Sequence, residues 1–258
     1  MTELSQYDTG ANNSSFYVGG YLYPFDAAII ALIFCGLLAH FTWKENYGSQ
    51  DKEHKHANGS PAFIHTFQNA WVTTKRNSEV LLCGIISSLF EGSMYVFVFM
   101  WTPMLTNLTV DTDEGLPFGL IFSSFMVCCM IGSSLFSIVI ENTRVEKLGV
   151  YVFLLGSLSM ATIFVSNSDT QSFIGMNVFE LCVGMYFPIM GTMKSAIVPE
   201  SQRAAIYNLY RVPLNFIVLT SLLTDLTPKQ SFLVTTVMLG IACFLQTKLM
   251  KNRLTSSA

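Results

Sequence analysis

Three ionisable residues sit deep inside apolar stretches of the chain: Glu91, Glu180 and Arg211. A charge inside a bilayer costs about 2.5–3.5 kcal/mol on insertion scales, so such residues are kept for a reason. A carboxylate near the bilayer midplane suits proton coupling, because burial favours its neutral form. A guanidinium is planar, permanently charged and carries five donors, which suits an oxyanion. Glu91 falls about eleven residues into its apolar stretch, or about 16 Å along a helix axis. Glu180 falls about a third of the way in from one face and Arg211 about a third of the way in from the other. Asn208, Arg211 and Asn215 are spaced i, i+3, i+7 and share one helical face, with Tyr207 one turn from Arg211 and Pro213 close by. These four residues, Arg211, Asn208, Asn215 and Tyr207, are the candidate substrate contacts, and Glu91 and Glu180 the candidates for coupling or gating. The opposing reading is a structural ion pair, in which Arg211 neutralises Glu91 or Glu180 and ties helices together. Asp26 and His40 lie near the ends of their stretch, where water is close.

The elements that carry these residues are long and apolar. Of 258 residues, 51% are hydrophobic and only 12% charged, against about 25% charged in a soluble domain. Mean hydropathy is +0.47. A helix needs about 20 apolar residues to cross the hydrocarbon core. Seven stretches qualify: Tyr21–Trp43, Val80–Trp101, Leu116–Ile140, Val150–Val165, Phe173–Met193, Ala205–Leu223 and Phe232–Met250. The fold class is therefore an all-α, polytopic membrane helix bundle of about seven spans. Residues 1–20 form an outer segment, 21–43 the first span, 44–79 a loop, 80–250 a six-helix body and 251–258 a tail. Ser78 is placed to cap the second span, with Pro103 after it, and Thr227-Pro228 to start the seventh. The first twenty residues hold no Lys, no Arg and no apolar core, so insertion is expected to be directed by the first span.

Orientation follows from Lys and Arg. The loops after spans one, three and five, together with the tail, hold twelve of them, Lys194 and Arg203 included. The opposite side holds Lys229 alone, so the basic loops and the C-terminus are assigned to the cytoplasm and the N-terminus to the outside. Asn107-Leu108-Thr109, and Asn12 and Asn13 with their serines, are glycosylation acceptor sequences on the outer side. Asn58-Gly59-Ser60 falls on the inner side and precedes Pro61, so it is set aside. Phe63, Phe67 and Trp71 recur every four residues ahead of Lys75 and Arg76. That pattern describes a short helix on the inner membrane surface, the alternative being an ordinary loop with stray aromatics.

Other chemistries find little support. The six cysteines, Cys35, Cys83, Cys128, Cys129, Cys182 and Cys243, all lie in apolar blocks without a CxxC spacing and read as small core hydrophobes. His54 and His56 read as loop residues rather than metal ligands. No phosphate-binding glycine loop, HExxH or GxSxG occurs, so neither an enzyme nor a cofactor is expected, and the scattered basic residues exclude a nucleic-acid surface. Gly119 with Ser123, and Ser133 with Ser137, read as helix-packing pairs. Glu91-Gly-Ser-Met94-Tyr95 is echoed by Glu180-Leu-Cys-Val-Gly-Met185-Tyr186 three spans later, each ahead of a proline. That is the pattern of an inverted three-plus-three repeat.

Together these residues resemble a known family. Leu89-Phe-Glu91 through Phe99-Met-Trp-Thr-Pro103, Phe118 through Met126, Gly132-Ser-Ser-Leu135, Gly184-Met-Tyr-Phe-Pro188, Arg211-Val-Pro-Leu214 and Trp43-Lys-Glu-Asn-Tyr47 are similar to the molybdate-anion transporter family of the major facilitator superfamily. The resemblance runs from about residue 20 to about residue 250. It implies a twelve-helix transporter of two six-helix halves, the seven spans here being helices six to twelve. It further implies that Glu91 and Glu180, on the seventh and tenth helices, face the transport path, with Arg211 at its edge. Two departures stand out. The N-terminal half is absent from the sequence, which implies a fragment, a short isoform or a chain that pairs with a second one. The superfamily's basic loop motif is degenerate at Glu141-Asn-Thr-Arg144-Val-Glu-Lys147. The expected function is transport of a small oxyanion, molybdate first, across the plasma membrane. The alternatives are a truncated, non-transporting chain that regulates a longer partner, and a seven-helix receptor.

Overall fold

The computed structural model describes residues 23–44, 62–109 and 115–256. The expectations placed on Asn12, Asn13, His54, His56 and Asn58 lie outside the described residues. All regular structure among the described residues is helical. The elements are α1 (Tyr23–Thr42), α2 (Ala62–Arg76), α3 (Ser78–Leu108), α4 (Phe118–Val139), α5 (Val145–Val165), α6 (Asp169–Ile197), α7 (Arg203–Leu223, led by a short 3₁₀ turn at Glu200–Gln202) and α8 (Pro228–Ser256). Seven of them, all but α2, are long and apolar enough to cross a membrane. The chain divides into two units, one up to Glu53 that holds α1 and one from His54 that holds α2 to α8.

α3, α5, α6, α7 and α8 outrun the apolar stretches that define them, whereas α1 and α4 fall slightly short, and at α3 and α8 side-chain caps set the start. Asn77, not Ser78, caps α3: its Oδ1 accepts from the amides of Glu79 at 2.9 Å and Val80 at 3.3 Å. Pro103 lies inside α3 rather than after it. The ring removes one N–H from the ladder, yet the helix continues to Leu108. At α8, Thr227 and Gln230 form a reciprocal box, with Thr227 Oγ1 accepting from the Gln230 amide and Gln230 Oε1 from the Thr227 amide. Pro228, with its pre-set φ, is the first helical residue, as the sequence indicates.

In the second unit α3 is central. It packs along α8, α7 and α6, while α6 also meets α4 and α5, and α5 lies against α8. The core is aromatic. Phe90 and Phe97 of α3 meet Phe153 of α5, Phe179 and Tyr186 of α6, Phe125 of α4 and Phe232 of α8, all fully buried. Phe90 and Tyr186 stack nearly parallel, centroids 4.0 Å apart. At the end of the bundle where α5 begins and α8 ends, buried Glu146 meets Arg253 at 3.0 Å and Arg144 at 3.7 Å, and its carbonyl accepts from Gln246 Nε2. Of the cysteines, Cys83 and Cys182 are buried and Cys128, Cys129 and Cys243 partly so, whereas Cys35 on α1 is exposed rather than in a core.

The pairs Gly119/Ser123 and Ser133/Ser137 are exposed, so they do not make the packing assigned to them. The close approach is made by two other glycines. Gly132 of α4 faces the Leu181 carbonyl, and Gly184 of α6 faces the Cys129 carbonyl, each so near that a Cβ would overlap the oxygen. Two glycines facing each other's backbone let α4 and α6 touch directly. Gly132→Ala should therefore lower the melting temperature of detergent-purified protein by an amount matching about 1–3 kcal/mol. Gly119→Ala, where nothing lies within 4 Å, should leave it unchanged or raised. Equal melting curves for both variants would refute the close-contact account.

Candidate functional site

A cavity of about 340 Å³ opens between α3, α6 and α7. Its lining is Ser87, Ser88 and Glu91 from α3, Tyr186, Phe187, Met190, Gly191 and Lys194 from α6, and Tyr207, Tyr210 and Arg211 from α7. Another cavity, of about 370 Å³, lies where α3 ends and α4 and α6 begin, but its walls are mostly apolar and Asp169 is the one ionisable group of its lining. The first is the one equipped for chemistry.

Glu91 is the centre of the site. Lys194 Nζ lies 3.2 Å from its Oε1, Tyr186 donates its hydroxyl to the same oxygen at 2.8 Å, and Ser87 Oγ donates at 3.2 Å. Ser87 Oγ and the Tyr186 hydroxyl are themselves 3.1 Å apart. Three donors thus converge on one carboxylate oxygen. The other oxygen takes no bond from a described residue. The carboxylate and the ammonium keep 28% and 19% of their side-chain surface exposed, so the pair borders the cavity rather than being sealed in the core. Lys194 also lies 5.8 Å from the Tyr207 ring centroid, within cation–π range.

The fold fixes these donors. Tyr186 is held by its stack on Phe90, the neighbour of Glu91 in sequence. On the other wall, Tyr210 fits its ring against Gly84, where a Cβ would overlap it, and donates to the Val80 carbonyl at 2.7 Å. Ser88 Oγ donates to the Tyr210 carbonyl at 2.9 Å. These contacts lock α7 to α3 and carry Arg211, the next residue, to the cavity rim. Pro213 lacks an amide hydrogen and leaves the Leu209 carbonyl without its usual helical donor just below.

The placement of the sequence candidates divides. Glu91, Tyr207 and Arg211 come together at one cavity. Asn208 and Asn215 lie on the exposed side of α7 and are not part of its lining. Glu180 is 7% exposed and makes no hydrogen bond or ion pair with a described residue. One turn on, Gly184 abuts the Cys129 backbone of α4. The proposed ion pair between Arg211 and Glu91 or Glu180 is not formed. Arg211 is exposed and bonds no described residue, while the partner of Glu91 is Lys194.

Lys194 is the residue that sequence reasoning misplaced. It reads as the first residue of a basic loop because hydropathy drops there, yet it sits in the last turn of α6. Spacing carried the missing signal. Tyr186, Met190 and Lys194 recur every four residues, so they follow one face of α6 into the cavity. Asn107, expected beyond the second span, is an exposed residue in the last turn of α3.

Comparison with known proteins bears on this geometry. Residues 11–185 match a family described as sugar transporters with 12 transmembrane segments. Molybdate-anion transporters of Xenopus tropicalis and Xenopus laevis are each 30% identical over 202 residues, covering 75% of this chain and 41% of theirs. The molybdate-anion transporter of Takifugu rubripes is 31% identical over 156 residues, covering 57% of this chain and 31% of its own. The chain spans about two fifths of the length of the Xenopus relatives. More than half of it falls within the matched family, and its apolar helices agree: the chain belongs to that family of transporters with 12 transmembrane segments, within the major facilitator superfamily.

Proposed function

We propose that the cavity between α3, α6 and α7 binds a small tetrahedral oxyanion, molybdate first, as part of a membrane transport path. The observation that carries this reading is a charge imbalance. Two basic side chains, Lys194 and Arg211, border one cavity that holds a single carboxylate. An excess positive charge in a low-dielectric setting attracts an anion strongly. The name carried by the relatives supports molybdate as the anion.

In this reading Arg211 grips the anion through its fork of donors and Tyr207 shapes the wall beside it. Asn208 and Asn215 prolong the polar stripe along the exposed side of α7. Polar groups at that depth are costly in lipid and are met by protein or water instead. A second six-helix body, from a longer polypeptide or another chain, would close this side and complete the path. Glu91 serves coupling or gating, and Glu180 supports the packing behind it. The loops outside Lys194 keep the excess of Lys and Arg, which supports a cytoplasmic C-terminus and an outer N-terminus; the membrane of this reading is the plasma membrane.

Removal of the guanidinium tests the site. In cells co-expressing the chain with the N-terminal six-helix half of a relative, Arg211→Gln should cut uptake of radiolabelled molybdate about tenfold or more, the value of a lost charge-assisted hydrogen bond. Uptake equal to that of the unaltered chain would remove Arg211 from the path. The orientation has its own test. Asn107 should carry a glycan, so the chain should migrate faster on gels after glycosidase treatment, and Asn107→Gln should abolish that component of the shift. A glycan-free Asn107 together with protease-accessible C-terminal residues on the outer face would reverse the assignment.

A further inference from the structure

The bonding around Glu91 has a form that a simple ion pair does not need. Lys194 Nζ, the Tyr186 hydroxyl and Ser87 Oγ all aim at Oε1, at 3.2, 2.8 and 3.2 Å. An ammonium, a phenol and an alcohol converging on one anionic oxygen form a binding site for an oxyanion corner. The protein's own carboxylate fills it. Arg211, on the facing helix of the same cavity, has no anionic partner among the described residues. The anion site is thus half occupied from within and half open.

We infer that Glu91 is a tethered stand-in for the substrate, whose carboxylate must leave the Lys194–Tyr186–Ser87 corner and take up one proton when a dianion binds. The inference rests on the oxyanion reading above and adds the coupling ion and the valence rule. Charge decides it. With Glu91 ionised, the site carries one net positive charge and balances a monoanion. A dianion would leave one uncompensated negative charge in a low-dielectric cavity, which is expensive. With Glu91 protonated, the two cations balance the dianion, and the neutral carboxyl no longer competes for Lys194. The step is a simple association: one proton from the cavity water joins the Glu91 carboxylate, no covalent bond breaks and no electron moves. The proton and the dianion are then taken up together, one for one.

The groups that face Glu91 are few. α6 presents Lys194 and Tyr186, and α7 presents Tyr207, Tyr210 and Arg211. On α3 itself Ser87 and Ser88 share the lining. α2 and α8 also pack on α3 but contribute nothing to the lining. Glu91 is the single carboxylate of the cavity, so the proton has one acid to go to.

Linkage makes this measurable. Where one proton enters with each dianion, affinity falls up to tenfold for each unit of rising pH. The chain co-purified with the N-terminal six-helix half of a relative, in lipid nanodiscs, would be titrated with radiolabelled molybdate between about pH 6.5 and 8.5, where the free anion is a dianion. The unaltered chain should bind progressively less molybdate as pH rises. Glu91→Gln should flatten the profile and bind at least tenfold tighter than the unaltered chain at the alkaline end. Glu91→Ala with added formate gives a second arm, since formate should refill the vacated corner and compete with molybdate there, but not in the unaltered chain. A folded, unaltered chain that binds molybdate with a flat pH profile, or a Glu91→Gln profile parallel to it, overturns the stand-in while leaving the anion site intact. Absence of binding at every pH, with melting curves showing intact protein, overturns the oxyanion site and the stand-in with it.

Discussion

A carboxylate within a membrane-spanning bundle must be answered by donors or be neutral, and the second unit is built around that requirement at Glu91. The answer is concentrated. One oxygen takes bonds from Lys194, Tyr186 and Ser87, drawn from two helices. Each donor needs its helix held to within a few tenths of an ångström, because hydrogen bonds weaken steeply with distance and angle. The parallel stack of Tyr186 on Phe90 supplies that precision for the phenol. The aromatic cluster around it, from Phe97 to Phe179 and Phe153, makes the stack rigid. Close-packed interiors do not deform gradually. A change in the charge of Glu91 is therefore felt by α3 and α6 as whole elements.

The helix contacts divide into tight and open ones along the same logic. α6 is pinned to α4 by two glycines, each set against the other helix's backbone, and α7 to α3 by Tyr210 in the notch left by Gly84. The cavity lies between these fixed seams. Its open side is the exposed polar stripe of α7, and an apolar bundle does not turn Asn208, Arg211 and Asn215 toward lipid at no cost. Relatives nearly twice as long have the chain length to cover such a face. The geometry of the site and the length of the relatives both support the proposal that a second helical body covers the open side.

Much of this was legible in the sequence, and the parts that were not share a cause. Seven apolar stretches and the Thr227-Pro228 start were readable because hydropathy and capping act locally. Glu91 and Arg211 stood out because charge in an apolar run is conspicuous. Lys194 did not stand out, since a lysine at the edge of an apolar run looks like an interfacial anchor. Only its phase with Tyr186 and Met190 gives it away. The helix–helix seams were missed for another reason. Gly119/Ser123 and Ser133/Ser137 have the right spacing, but spacing does not tell which face meets a neighbour, and Gly132 and Gly184 lie on different helices with a third between them in the chain. Their pairing is a property of two helices at once, which no single window of sequence contains.

The echo between α3 and α6 shows how far such symmetry reaches. Both helices carry an acid, a nearby tyrosine and a proline, and both are among the most deeply packed in the unit. Yet the two acids have different surroundings. Glu91 opens on the cavity, and the tyrosine that serves it comes from the other helix, since Tyr95 is exposed and Tyr186 is buried. Glu180 is buried, and the helix around it is committed to contact with α4 through Gly184. A pair of acids related by repeat symmetry would place two like charges on one path and raise the cost of both. Turning one toward packing leaves a single carboxylate against two cations. That asymmetry, rather than either acid alone, leaves the cavity with more basic than acidic side chains in its lining.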